Sequence, residues 1–85
     1  MDTKSLEVFI DLAEDLHFSR TSDLHNMSPS TLSRLIQRLE RDSNCSLFER
    51  SNRSVSLTSA GKRYLDFARQ TLSAWQDLKQ VNQMQ

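Results

Sequence analysis

Ser30, Ser33, Arg34, Gln37 and Arg41 recur at i, i+3, i+4, i+7 and i+11, the spacing of one face of an α-helix. They carry hydroxyls, an amide and two guanidinium forks, groups suited to making hydrogen bonds rather than to breaking covalent ones. Such a set matches the edges of base pairs: a guanidinium pairs with guanine, an amide with adenine, and a hydroxyl with donors or acceptors of either. No acid falls between Ser30 and Arg38, whereas a solvated helix face usually interleaves Glu with Lys or Arg. Arg34 and Gln37 are therefore the candidate base readers, with Pro29, Ser30, Thr31 and Ser33 beside them for base or phosphate contacts.

That face needs a helix behind it. Leu32, Leu35, Ile36 and Leu39 fall on its other side at core spacing. Ser28 can accept a hydrogen bond from a first-turn N–H, and Pro29 lacks the donor that would otherwise go unpaired. A helix from Pro29 to about residue 42 follows, ended by Ser43-Asn44 because Asn tolerates the left-handed conformation of a helix C-terminus.

Leu47–Arg50 and Ser54–Leu57 read as two short strands around the polar turn Ser51-Asn52-Arg53. A hairpin wing of this kind can place an arginine in the negative potential of a minor groove. Arg53, at the tip, is the stronger candidate, and Arg50 is equally suited to structural pairing. Arg20 is placed either to hold a phosphate or to pair with a nearby acid.

Other chemistry has little support. His17 and His25 lie eight apart with no cysteine or acid at ligand spacing, so no metal is expected. No Ser/His/Asp order and no Gly-rich phosphate loop is present, so neither catalysis nor a cofactor is expected. The single cysteine, Cys45, excludes an internal disulfide, fits a reducing cytoplasm, and reads as a small packed side chain.

Leu6, Phe9, Ile10, Ala13 and Leu16 predict an amphipathic helix over about 3–16. A second helix is expected over about 19–26, with Ser19 as its cap, broken by Met27-Ser28-Pro29. Thr58 can cap a fourth helix that runs to the end of the chain, about 28 residues or 40 Å at 1.5 Å per residue. Leu65, Ala68, Leu72 and Trp75 form its apolar stripe, with Tyr64, Leu78 and Val81 on the flanks. A helix of that length overhangs a small domain, so the stripe is expected to meet a second chain or a domain outside this one.

Eighty-five residues make one domain, and no apolar run approaches membrane-spanning length. The N-terminus has acids where a secretory signal needs bases. Net charge is zero but unevenly spread. Residues 1–16 carry five acids against Lys4, a net of −4, while residues 17–63 carry eight bases against four acids, a net of +4. A polyanion responds to that local field rather than to the total. The expected architecture is mainly α: a winged helix-turn-helix over 1–57, then a dimerisation helix over 58–85.

The chain resembles the N-terminal DNA-binding domain of LysR-type transcriptional regulators. The similarity lies in Leu6-x-x-Phe9, Ala13-Glu14, Phe18-x-Arg20, Ser28-Pro29-Ser30-Thr31-Leu32-Ser33-Arg34, Ile36-x-x-Leu39-Glu40, Leu47-Phe48-x-Arg50 and Val55-x-Leu57-Thr58-x-Ala60-Gly61. It implies a homodimer through the long helix and two recognition helices in successive major grooves of double-stranded DNA, at an interrupted palindrome. It also implies wings in the flanking minor grooves, contacts from Pro29, Ser30, Ser33, Arg34 and Arg53, and a small-molecule effector bound only by a domain absent from this chain. Two departures stand out. Thr21-Ser22 replaces the family's small Ala-Ala pair, with its apolar anchor displaced or replaced by His25. Ser43-Asn44 and Ser46 replace the Leu-Gly and following Pro after the third helix. The competing reading is a winged-helix protein-interaction module; a third is a short competitor that occupies operators without an effector domain.

Overall fold

The computed structural model describes the backbone of residues 2–84 and the side chains of residues 2–80; the Val81 side chain, expected on the flank of the last helix, lies outside the described residues. The order is α1 (Thr3–Asp15), α2 (Phe18–Leu24), α3 (Pro29–Ser43), β1 (Phe48–Arg50), β2 (Val55–Leu57) and α4 (Ser59–Met84). The strands pair antiparallel, with Phe48 opposite Leu57 and Arg50 opposite Val55. This is the expected winged helix-turn-helix.

Local rules place most of the ends. Asp2 caps α1 by accepting from the Ser5 N–H at 2.8 Å, and that bond holds its carboxyl below the usual carboxylate range. Ser28 accepts from the Thr31 N–H at 3.1 Å at the start of α3. Asn44 closes α3 at φ 55°, ψ 37°, performing the left-handed turn expected of it. Thr58 accepts from the Gly61 N–H at 2.9 Å as α4 begins.

Helix α2 departs from expectation. It starts at Phe18, so Ser19 lies inside it and does not cap it, and it stops at Leu24. The preceding residue, His17, makes no side-chain cap bond. Tertiary contacts position this helix instead: the Phe18 ring packs edge-on against Phe48, 6.4 Å between centroids. Asn26, at φ 54°, turns the chain, and the Met27 N–H reaches back to the Ser22 carbonyl at 2.9 Å.

The core forms where α1, α3, the hairpin and the first turns of α4 meet. Leu6, Val8, Phe9, Leu12, Leu32, Ile36, Leu39, Leu47 and Ala68 are all buried. Phe9 lies at the centre, 5.4 Å from the Phe48 ring and 4.8 Å from the Tyr64 ring. Burial in this cluster, followed by the Asp42 charge, raises the Tyr64 hydroxyl above its usual range. The single glycine is where α4 meets the wing. A Cβ on Gly61 would sit 2.1 Å from the Leu47 carbonyl oxygen, so no other residue fits without moving the backbone. Among the described residues, no helix is long and apolar enough to cross a membrane.

Candidate nucleic-acid interface

Helix α3 divides as its sequence requires. Leu32, Ile36 and Leu39 are buried and Leu35 is half-buried, while Pro29, Ser30, Thr31, Arg34, Gln37, Arg38 and Arg41 are exposed. Burying three such side chains contributes roughly 1.5–3 kcal/mol each, which fixes the rotation of the helix about its axis and hence the face it presents. Arg34 and Gln37 have no hydrogen-bond or ion-pair partner among the described residues. Their donors and acceptors are open to an outside molecule.

The hydroxyls on this face are not equally open. Ser28 Oγ donates to Thr31 Oγ1 at 2.9 Å and lies 3.2 Å from Ser30 Oγ, so Thr31 is part of the cap as well as of the face. Ser33 is half-buried, and its Oγ accepts from Arg50 Nη1 at 3.0 Å. Arg50 in turn sits over the Phe18 ring, its guanidinium carbon 4.1 Å from the centroid. The structural side of the two Arg50 readings is thus realised in the free protein. Arg20 also has partners: Nε donates to Asp15 Oδ2 at 3.1 Å, and Nη2 lies 2.6 Å from His17 Nδ1.

At the wing, Ser51 organises the turn. Its Oγ accepts from the Arg53 and Ser54 N–H groups at 3.3 and 3.1 Å, and its own N–H reaches the Ser54 carbonyl at 2.9 Å. Arg53 projects from this tip, exposed and without a side-chain partner among the described residues. An open groove lined by Asp15, His17, Ser19, Ser51, Asn52 and Arg53, among others, joins the wing to the start of α2. Three of the four acids of α1 are paired: Glu14 with Arg69 of α4 at 2.8 Å, Asp15 with Arg20, and Asp11 with His25.

The structure corrects two expectations. Ala68 is fully buried in the core of its own chain and so offers no surface to a second chain. Helical spacing marked it as apolar but not which neighbour covers it. Beyond it the stripe does emerge: Leu65 and Leu72 are half-buried, while Trp75 is 44% and Leu78 52% exposed. Cys45 is exposed rather than packed, because it follows the left-handed turn at Asn44.

Sequence reasoning missed one structural support of the site. Glu40 Oε2 accepts from the Leu47 N–H at 2.8 Å and the Phe48 N–H at 3.4 Å, tying the far end of α3 to the wing. Glu40 lies beside a core leucine, and periodicity carries no signal for a carboxylate that bonds backbone seven and eight residues away.

The family departures have specific outcomes. Thr21 and Ser22 are both buried, and Ser22 Oγ donates to the Ser19 carbonyl at 2.9 Å. Thr21 Oγ1 is buried with no hydrogen-bond partner among the described residues. Leu24 is 67% exposed, and His25, its side chain 9% exposed, takes the anchoring place. Its Nδ1 accepts from Lys4 Nζ at 2.9 Å and its Nε2 donates to Asp11 Oδ2 at 2.7 Å, pinning α2 to α1 by polar bonds.

The family model for bacterial regulatory helix-turn-helix proteins of the lysR family matches residues 3–62. The HTH-type transcriptional activator IlvY of Salmonella typhimurium is 51% identical over 79 residues, 93% of this chain and 27% of that protein. The chain therefore spans about a quarter of the length of this relative. Among solved structures, a complex of the CbnR DNA-binding domain with DNA is similar at a TM-score of 0.92 and 30% identity, covering 99% of this chain and 97% of that one. A complex of the BenM DNA-binding domain with catB site 1 DNA gives 0.89 and 27% identity over 99% of this chain and 94% of that one. The chain belongs to the lysR family of bacterial helix-turn-helix regulators and corresponds to its DNA-binding domain.

Proposed function

We propose that the chain reads double-stranded DNA sequence-specifically as a homodimer, in the service of transcription regulation in the cytoplasm. Residues 1–57 form the reading unit and residues 58–85 join two copies. Helix α3 enters the major groove with Arg34 and Gln37 on base edges and Pro29, Ser30, Thr31 and Ser33 alongside. Arg53 enters the flanking minor groove from the wing. Arg20 reaches phosphate by exchanging its Asp15 partner. Leu65, Leu72, Trp75 and Leu78 supply the apolar contact between copies, and any small-molecule effector binds a domain beyond this chain. Two-fold symmetry then makes the operator an interrupted palindrome with half-sites about 10–10.5 bp apart or a multiple of that.

The observation that carries this reading is the acid-free, exposed face of α3, on which Arg34 and Gln37 are unpaired among the described residues. Salt tests it. Affinity for an operator selected from random duplexes should fall steeply between 50 and 200 mM salt, because each neutralised phosphate releases counterions. Flat salt dependence and no enriched duplex would instead favour a winged helix whose third helix docks on protein.

A further inference from the structure

Ser33 sits on the reading face with its oxygen already engaged. A serine hydroxyl normally offers one proton and two lone pairs, so it can meet either a donor or an acceptor. Here Arg50 Nη1 donates to Ser33 Oγ at 3.0 Å. Arginine has no acceptor to offer in return, and among the described residues the Ser33 proton has no acceptor. A cationic donor on the oxygen also polarises the O–H, which strengthens it as a donor.

Arg50 is itself held in place. Its guanidinium stacks on Phe18 at 4.1 Å and has no carboxylate partner among the described residues. Three elements thus converge on one hydroxyl: α2 through Phe18, β1 through Arg50 and α3 through Ser33. We propose that Arg50, stacked on Phe18, is a positioning residue that fixes Ser33 as a hydrogen-bond donor, so that Ser33 selects an acceptor on a base edge such as a purine N7, guanine O6 or thymine O4. This rests on the proposed reading of duplex DNA by α3 and adds a polarity to one of its contacts. A lysine cannot replace Arg50 here, because an ammonium keeps the charge but loses the planar stack and the directed fork.

The test selects binding sites from random duplexes with the wild-type chain and with Ser33→Ala, Arg50→Lys, Phe18→Leu and Arg34→Ala, checking each fold by circular dichroism. Ser33→Ala should erase the preference at one base position of each half-site. Arg50→Lys should relax that same position at least threefold while leaving the others sharp, and Ser33→Ala/Arg50→Lys should be no more relaxed there than Ser33→Ala. Phe18→Leu reaches the same end by removing the platform, and serves if Arg50→Lys does not fold. Arg34→Ala should relax a different position. The proposal is overturned if Arg50→Lys weakens all sequences equally, the behaviour of a plain phosphate contact, or if Ser33→Ala leaves every preference intact. In both cases a normal Arg34→Ala result keeps the broader reading standing. Uniform loss with Arg34→Ala would bring down that reading instead.

Discussion

The two halves of the helix-turn-helix solve the same packing problem in opposite ways. Helix α3 follows every local rule: Ser28 caps it, Pro29 opens it, three apolar side chains are buried, and Asn44 closes it in the left-handed conformation. Helix α2 follows few. It has seven residues and no side-chain cap, buries Thr21 and Ser22, and leaves Leu24 in solvent. An α3 that holds itself in place by its own sequence can leave its outer face unpaired for reading. An α2 that depends on neighbours is built from long-range contacts: Phe18 on Phe48, and His25 between Lys4 and Asp11.

Substitutions can break or sharpen this contrast. The largest effect should come from Ile36→Ala, which empties a fully buried site. A loss of about 2–5 kcal/mol in chemical denaturation is expected; a loss below about 1 kcal/mol would mean that α3 is less firmly seated than its burial indicates. Ser28→Ala removes the cap and should cost about 1 kcal/mol. It should also weaken operator binding, since the same hydroxyl organises Ser30 and Thr31. In α2 the sign should reverse. Thr21→Ala removes a buried hydroxyl that has no partner among the described residues and restores the family's small residue. Relief of that desolvation is worth about 1 kcal/mol, offset by the methyl lost, so thermal melting should show a neutral or slightly raised Tm. A clear drop in Tm would show that the hydroxyl is satisfied in solution.

The contrast also explains what could be read from the sequence. Helix α3, the hairpin and the Thr58 cap were legible because period, capping and turn residues agree locally there. The start of α2 was not: Ser19 has the chemistry of a cap, but the ring of Phe18 packing on Phe48 sets where the helix begins. The same limit applies to the interface. Arg34, Gln37 and Arg53 stand out by residue type and spacing. The bond from Arg50 to Ser33 joins residues 17 apart, across a turn whose geometry only the fold supplies. Ala68 shows the converse, since an apolar stripe reveals that it is covered without revealing by what.

The central claim is that the outer face of α3 reads bases rather than merely attracting phosphate. Binding-site selection with the wild-type chain and with Arg34→Ala tests it most directly. Loss of preference at one base position per half-site is expected, with a cost on the preferred operator of about 1–3 kcal/mol while the remaining positions stay sharp. An equal loss of affinity on every sequence, with no change in preference, would contradict it.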